Sequence, residues 1–183
     1  MSEPVRPPRG GVVLVSTEGA HEPFVAMLEA AGFVVVVAEL GFDPTDPEVI
    51  RIVTTARDRL PPGARFVVGL GGGGLYARLA ACAVLGLAGA VGFGGRISYS
   101  GVNLRQPIQP MDLLPGLSCP LQCHFRADDP AAPAAHVDEL ERRLAGACQP
   151  WQVFRYTACT EADTRTAWGR ACSFLMHLAA ERA

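Results

Sequence analysis

Apolar runs alternate with helix-period segments along the 183 residues. Gly11–Ser16, Phe33–Glu39, Arg65–Val68, Ala88–Phe93, Pro120–Phe125 and Trp151–Tyr156 are short, β-branched or aromatic runs bounded by turn residues, and each predicts a strand. Between them lie patterns with a period near 3.6. Pro23–Ala31 places Phe24, Met27, Leu28 and Ala31 on one face, with Gly32 as a stop. Pro47 to about Leu60 follows Asp46, which can cap it. Leu75–Leu85, Ala134–Ala147 and Thr164–Glu181 complete the helices. Strand–helix alternation of this kind predicts an α/β fold with three layers, a mostly parallel sheet covered by helices on both faces. Gly94–Pro115 is the one long irregular segment, and such loops tend to line sites. Residues 1–9 are expected to form a loose, flexible tail, and 10–183 a single α/β domain.

Composition narrows the function classes. Apolar residues make up 49% of the chain, enough for a large core, and the net charge is −2. That balance gives no bulk attraction to nucleic acid or to a membrane. All 16 basic residues are arginine, which with the abundant alanine fits a GC-rich bacterial genome. Without lysine there is no phosphate-binding G-x-x-x-x-G-K-[ST] loop. No apolar run reaches the ~18 residues that span a bilayer, and Met1-Ser2-Glu3-Pro4 does not resemble a secretory leader, so a cytoplasmic location is expected. The six cysteines lie in apolar or helical segments, as reduced thiols do.

The most informative stretch is Gly69-Leu70-Gly71-Gly72-Gly73-Gly74, after the strand Ala64–Val68 and before a helix. Strand, sharp glycine turn and helix form a nucleophile elbow, G-x-S/C-x-G, but the central position here is Gly71. The same glycines match G-x-G-x-x-G, the phosphate turn of a dinucleotide fold. That motif needs an acidic residue ~20 positions on, and none occurs before Asp112.

Several segments, in this order, resemble the dienelactone hydrolase family of α/β-hydrolases. Val67–Gly74 is similar to the family's elbow, and Ala90–Arg96 to the following strand and its Y-G-R-like turn. Pro107 to Pro120, with Asp112, Leu113, Leu117 and Cys119, resembles a P-x-D-L-x-P-x-L-x-C-P segment. Asp128–Pro133 resembles the family's acid turn. The resemblance covers residues 64–183 well, while the stretch from 40 to 64 is shorter than usual. It implies a shortened α/β-hydrolase fold with a degenerate triad. The nucleophile position carries Gly71, the acid position Asp129 or its neighbour Asp128, and the histidine position Glu161. No histidine stands near that position in sequence; the four are His21, His124, His136 and His177. Without a nucleophile and an imidazole, the usual acyl transfer is not expected.

The resemblance places an oxyanion hole at the N–H groups of Gly72 and Gly19, and backbone donors survive the loss of side chains. Gly72 would also stand at a helix N-terminus, which favours anions. No acidic residue occurs between Asp58 and Asp112, whereas Arg59, Arg65, Arg78, Arg96 and Arg105 do. The expected role is a pseudo-hydrolase that binds a small anionic, carbonyl or lactone ligand in the old cleft, with Gly19, Gly71, Gly72, Arg96, His21 and Cys159 as candidate contacts. One alternative is non-hydrolytic acid–base chemistry by Glu18, Asp129 and Glu161, since carboxylates crowded in an apolar site push one pKa up. Another is a non-catalytic interaction protein, with an apolar surface near the shortened 40–64 segment covered by a second copy in a homodimer. Cys159 and His21 could also supply a nucleophile or an imidazole from other directions. Cys119 and Cys123 with His124 are read as packing residues and no metal site, because His124 points to the opposite face of its strand. No cofactor is expected.

Overall fold

A computed structural model describes residues 8–17, 19, 21–41, 43–157 and 160–182. Six strands, β1 (Gly10–Ser16), β2 (Phe33–Glu39), β3 (Arg65–Leu70), β4 (Gly89–Phe93), β5 (Leu121–Arg126) and β6 (Trp151–Tyr156), form one parallel sheet. Their order is β2-β1-β3-β4-β5-β6. The central strands are buried from both faces, which explains why Gly-Gly-Val-Val-Leu-Val-Ser in β1 shows no polar alternation. Helices α1 (Glu22–Ala30) and α6 (Glu161–Ala180) cover one face; α2 (Asp46–Asp58), α3 (Gly73–Ala83) and α5 (Ala134–Leu144) cover the other.

Local details differ from expectation at helix ends. Thr45, not Asp46, caps α2, in a reciprocal capping box with Glu48. Asp46 is then released to accept a hydrogen bond from the buried Tyr99 hydroxyl, and burial raises its pKa. The segment from Gly94 to Pro115 is not open loop throughout. It contains helix α4 (Pro110–Leu113) and runs into a 3-10 turn at Leu114–Gly116. Tyr99 ties it down, because both its N–H and its carbonyl bond to the Gln109 side chain, at 2.9 and 3.1 Å. Helix α6 begins at Glu161, three residues earlier than predicted, because Thr160 caps it by accepting from the Asp163 N–H at 3.0 Å.

Helix α6 is held to the sheet by a column of flat groups. Phe24 stacks on Trp168, Trp168 on Phe93, Phe93 on His124 and His124 on Phe154, with centroid separations of 5.0, 4.4, 4.7 and 5.4 Å. The guanidinium of Arg170 ends the column, 4.4 Å over the Phe154 ring. His124 is therefore walled in by rings, and burial together with the Arg170 charge pulls its pKa down to about 3.

This has a consequence for acid stability. The unfolded imidazole titrates near 6.5 and the folded one near 3, so between these values the unfolded chain binds one proton more. Stability from this group is full above the upper value and falls as pH drops, at up to ~1.4 kcal/mol per pH unit. Urea unfolding of wild type and His124→Gln across that window should give a shallower acid slope in the variant. Identical slopes would place the proton uptake elsewhere.

Candidate functional site

β3 runs into the glycine turn, and the turn into α3. Gly71 has φ 53°, the left-handed region, and its carbonyl accepts from the Gly74 N–H at 2.9 Å. The other glycines are there for proximity. A Cβ on Gly69 would overlap the Gly73 carbonyl, one on Gly73 the Val15 carbonyl, and one on Gly74 the Gly94 carbonyl. A Cβ on Gly95 would overlap the Gly71 carbonyl, so β4's exit turn lies directly on the elbow. At Gly71 the situation reverses: a Cβ there would meet nothing within 4 Å. The elbow thus presents its central residue to open space, as a nucleophile would stand, and offers no side chain.

Two cavities flank this point. The first, about 240 Å³, is lined by Gly71, Phe93, His124, Asp129, Tyr156, Asp163 and Trp168 among others. It lies over the ends of β3 to β6 and is mostly apolar. The second, about 690 Å³, is bounded by Thr17, Asp43, Gly72, Leu75, Tyr76 and Arg96. The two are separated by the packed backbones of Gly71 and Gly95 and share the turn 94–96 as a wall.

That turn rests on Arg78. Its side chain is 1% exposed, lies 5.3 Å from the Phe125 centroid, and donates to the carbonyls of Gly94 (3.3 Å) and Arg96 (2.5 Å). Its Nε is buried without a partner among the described residues. Burial lowers its pKa from the usual arginine value, partly offset by the Cys123 thiol beside it.

The predicted site residues separate. Asp129 lines the first cavity, with one carboxylate oxygen accepting from the Ala131 N–H at 2.9 Å and the other facing Gly94. Asp128 turns outward and is held at 3.0 Å by Arg126, which keeps its carboxyl below the usual range. Gly72 and Arg96 both border the second cavity. Burial raises the Tyr76 pKa there, and the Arg96 charge partly offsets it. Glu161 lies apart: its side chain is 90% exposed, pairs with Arg165 at 3.1 Å and lines neither cavity. Gly19 and His21 also line neither, and His21 stands at the start of α1 with Nε2 3.9 Å from Glu39. Glu18 and Cys159 lie outside the described residues.

Two of the wall residues that the sequence did not point to bear on the chemistry. Asp163 lines the first cavity where Glu161 does not, its Oδ2 accepting from the Thr160 hydroxyl at 2.8 Å. The T-x-x-D spacing of a helix cap is the signal that would have turned Asp163 inward and Glu161 out. His124 is more than packing, and it is the histidine near the cleft that sequence position had hidden. It cannot serve as a general base. The Gln122 amide donates to Gln152 at 2.8 Å and so presents its oxygen to His124 Nε2, also at 2.8 Å. Nε2 therefore carries the hydrogen, and Nδ1 accepts from the Tyr156 hydroxyl at 2.9 Å, which in turn accepts from Arg170 at 3.3 Å. Both ring nitrogens are committed, and a pKa near 3 leaves little basicity.

The contrast among the glycines makes a steric prediction. Gly71→Ser should fold with a loss of ~1–2 kcal/mol, the cost of a left-handed side-chain residue. Gly73→Ser should be far worse, because the Val15 carbonyl cannot move without breaking β1. Thermal unfolding of the two variants checks this, and equal losses would contradict the packing described.

No curated protein matches this sequence. Among solved structures, a Klebsiella pneumoniae protein assigned as a dienelactone hydrolase superposes with a TM-score of 0.80 at 19% identity, covering 92% of this chain and 87% of that one. An esterase of Pyrococcus furiosus gives 0.72 at 14% identity, covering 96% and 84%. Est1E of Butyrivibrio proteoclasticus gives 0.72 at 13% identity, covering 96% and 90%. These likenesses show an α/β-hydrolase fold. The sequence profile of the dienelactone hydrolase family matches residues 50–175, and on that match the chain belongs to the dienelactone hydrolase family.

Proposed function

We propose that this protein binds a small carbonyl-bearing or carboxylate ligand at the Gly71–Gly72 turn without hydrolysing it. The observation that carries this reading is Gly71: the elbow keeps its left-handed turn and its open space, and the nucleophile is missing. What remains suits binding. Gly72 stands at the N-terminus of α3, an 11-residue helix whose dipole favours an anion there, although the Gly74 N–H is already given to the Gly71 carbonyl. Arg96 and Tyr76 border the same cavity, so a guanidinium and a hydroxyl are at hand for a carboxylate or carbonyl oxygen. The second cavity, about 690 Å³, has room for the carbon skeleton of a small molecule beside these groups.

The acid–base alternative has less support. It needs several carboxylates around one pocket, and of Asp129 and Glu161 only Asp129 borders a cavity. Its companion there is Asp163, already bonded to Thr160.

Isothermal titration with a panel of short carboxylates and lactones, beside an assay with 4-nitrophenyl acetate, tests the reading. Saturable binding of at least one panel member is expected, weakened about tenfold in Arg96→Ala, with no ester turnover above buffer. Turnover by wild type, or binding untouched by Arg96→Ala, would overturn it.

A further inference from the structure

We infer that the ligand of the second cavity is a hydroxy acid, a monocarboxylate whose chain carries a hydroxyl, with the carboxylate drawn to Arg96 and the hydroxyl given to Asp43. This rests on the reading of that cavity as a carboxylate site and names the class of molecule it would select.

Two opposite charges border the same space. Arg96 and Asp43 both line the second cavity, and Tyr76 lines it with them. The two charges do not neutralise each other. Asp43 pairs with Arg105, and Arg96 makes no ion pair among the described residues. Tyr76 feels both, since the Arg96 charge lowers its pKa and the Asp43 charge raises it. Tyr76 is 4% exposed, and its hydroxyl has no hydrogen-bond partner among the described residues. A buried hydroxyl left unbonded is costly, and a ligand oxygen in the cavity would relieve that cost.

Asp43 is set in place by its neighbours. Its φ is 49°, and it is the only non-glycine residue in the left-handed region among the described residues. Contacts from the segment after β4 hold that conformation. Arg105 donates to the Asp43 carbonyl at 2.7 Å, and the buried Gln106 amide donates to Oδ1 at 3.1 Å. Oδ2 is left with the Arg105 Nε at 3.8 Å, beyond hydrogen-bond distance. One carboxylate oxygen is thus committed to the protein, and the other is open to a donor.

Charge decides which donor. A second carboxylate on the ligand would face Asp43 and be repelled. An ammonium would enter beside two guanidinium groups, Arg105 and Arg96. A hydroxyl donates to Oδ2 and adds no charge. An unsubstituted acid would leave Oδ2 without a donor.

Isothermal titration with butanoate, its 2-, 3- and 4-hydroxy derivatives, the matching aminobutanoates and succinate tests this. At least one hydroxybutanoate should bind about tenfold tighter than butanoate, and succinate should bind more weakly than butanoate. In Asp43→Gly, where glycine tolerates the left-handed turn, the ratio of hydroxybutanoate to butanoate affinity should fall to about one, with an unchanged circular dichroism spectrum. Asp43→Asn, which also suits this φ, should relieve the rejection of succinate. Equal binding of butanoate and every hydroxybutanoate overturns the inference and leaves the carboxylate site standing. So does an aminobutanoate tighter than every hydroxybutanoate, succinate no weaker than butanoate, a hydroxyl preference that survives Asp43→Gly, or a succinate penalty that survives Asp43→Asn. Absence of binding by every acid overturns the carboxylate site itself, and this inference with it.

Discussion

Main chain touches main chain around residues 69–74, and nearly everything at the cleft follows from that approach. A side chain on Gly69, Gly73 or Gly74 would drive a carbonyl of α3, β1 or the β4 turn out of place. Gly95 repeats the constraint from the other side, against Gly71. Four missing Cβ atoms therefore seat α3, bring β4's exit onto the elbow and form the ridge between two cavities. Gly71 is the exception in this group, free of steric demand but held at a left-handed φ. The turn is built to present that residue, and chemistry at it is a separate matter from the architecture that displays it.

The layers of the fold were legible because burial on both faces writes long apolar runs into parallel strands. All six strands, their parallel pairing and the five main helices lie where hydrophobic period and turn residues put them. Errors clustered where polar side chains decide. Asp46 and Thr45 are both good caps by type, and the choice between them rests on Tyr99, a residue 53 positions away that claims the aspartate. The short helix at Pro110–Leu113 lies inside a segment whose proline and glycine content reads as loop.

The site was half legible. Gly71, Gly72, Arg96 and Asp129 border the cleft because their places follow from strand ends. Glu161 was assigned by counting from Tyr156, but one extra turn at the start of α6 rotates it into solvent and Asp163 inward. His124 shows the limit differently. Its side of the strand follows from alternation, but its neutrality and its fixed tautomer come from a chain of five side chains drawn from β5, β6 and α6. No local pattern encodes such a chain.

Arg78 has a consequence that goes beyond holding a turn. A guanidinium does not shed its proton at any pH a cell experiences, and this one is closed off from water by Phe125 and the sheet. Mobile ions reach a buried charge far less than a surface one. The floor beneath Gly94 and Arg96 therefore carries a positive charge that dissolved salt screens far less than it screens a charge at the surface. Ionic strength therefore acts on this cleft chiefly through the exposed charges of its walls and far less through its floor.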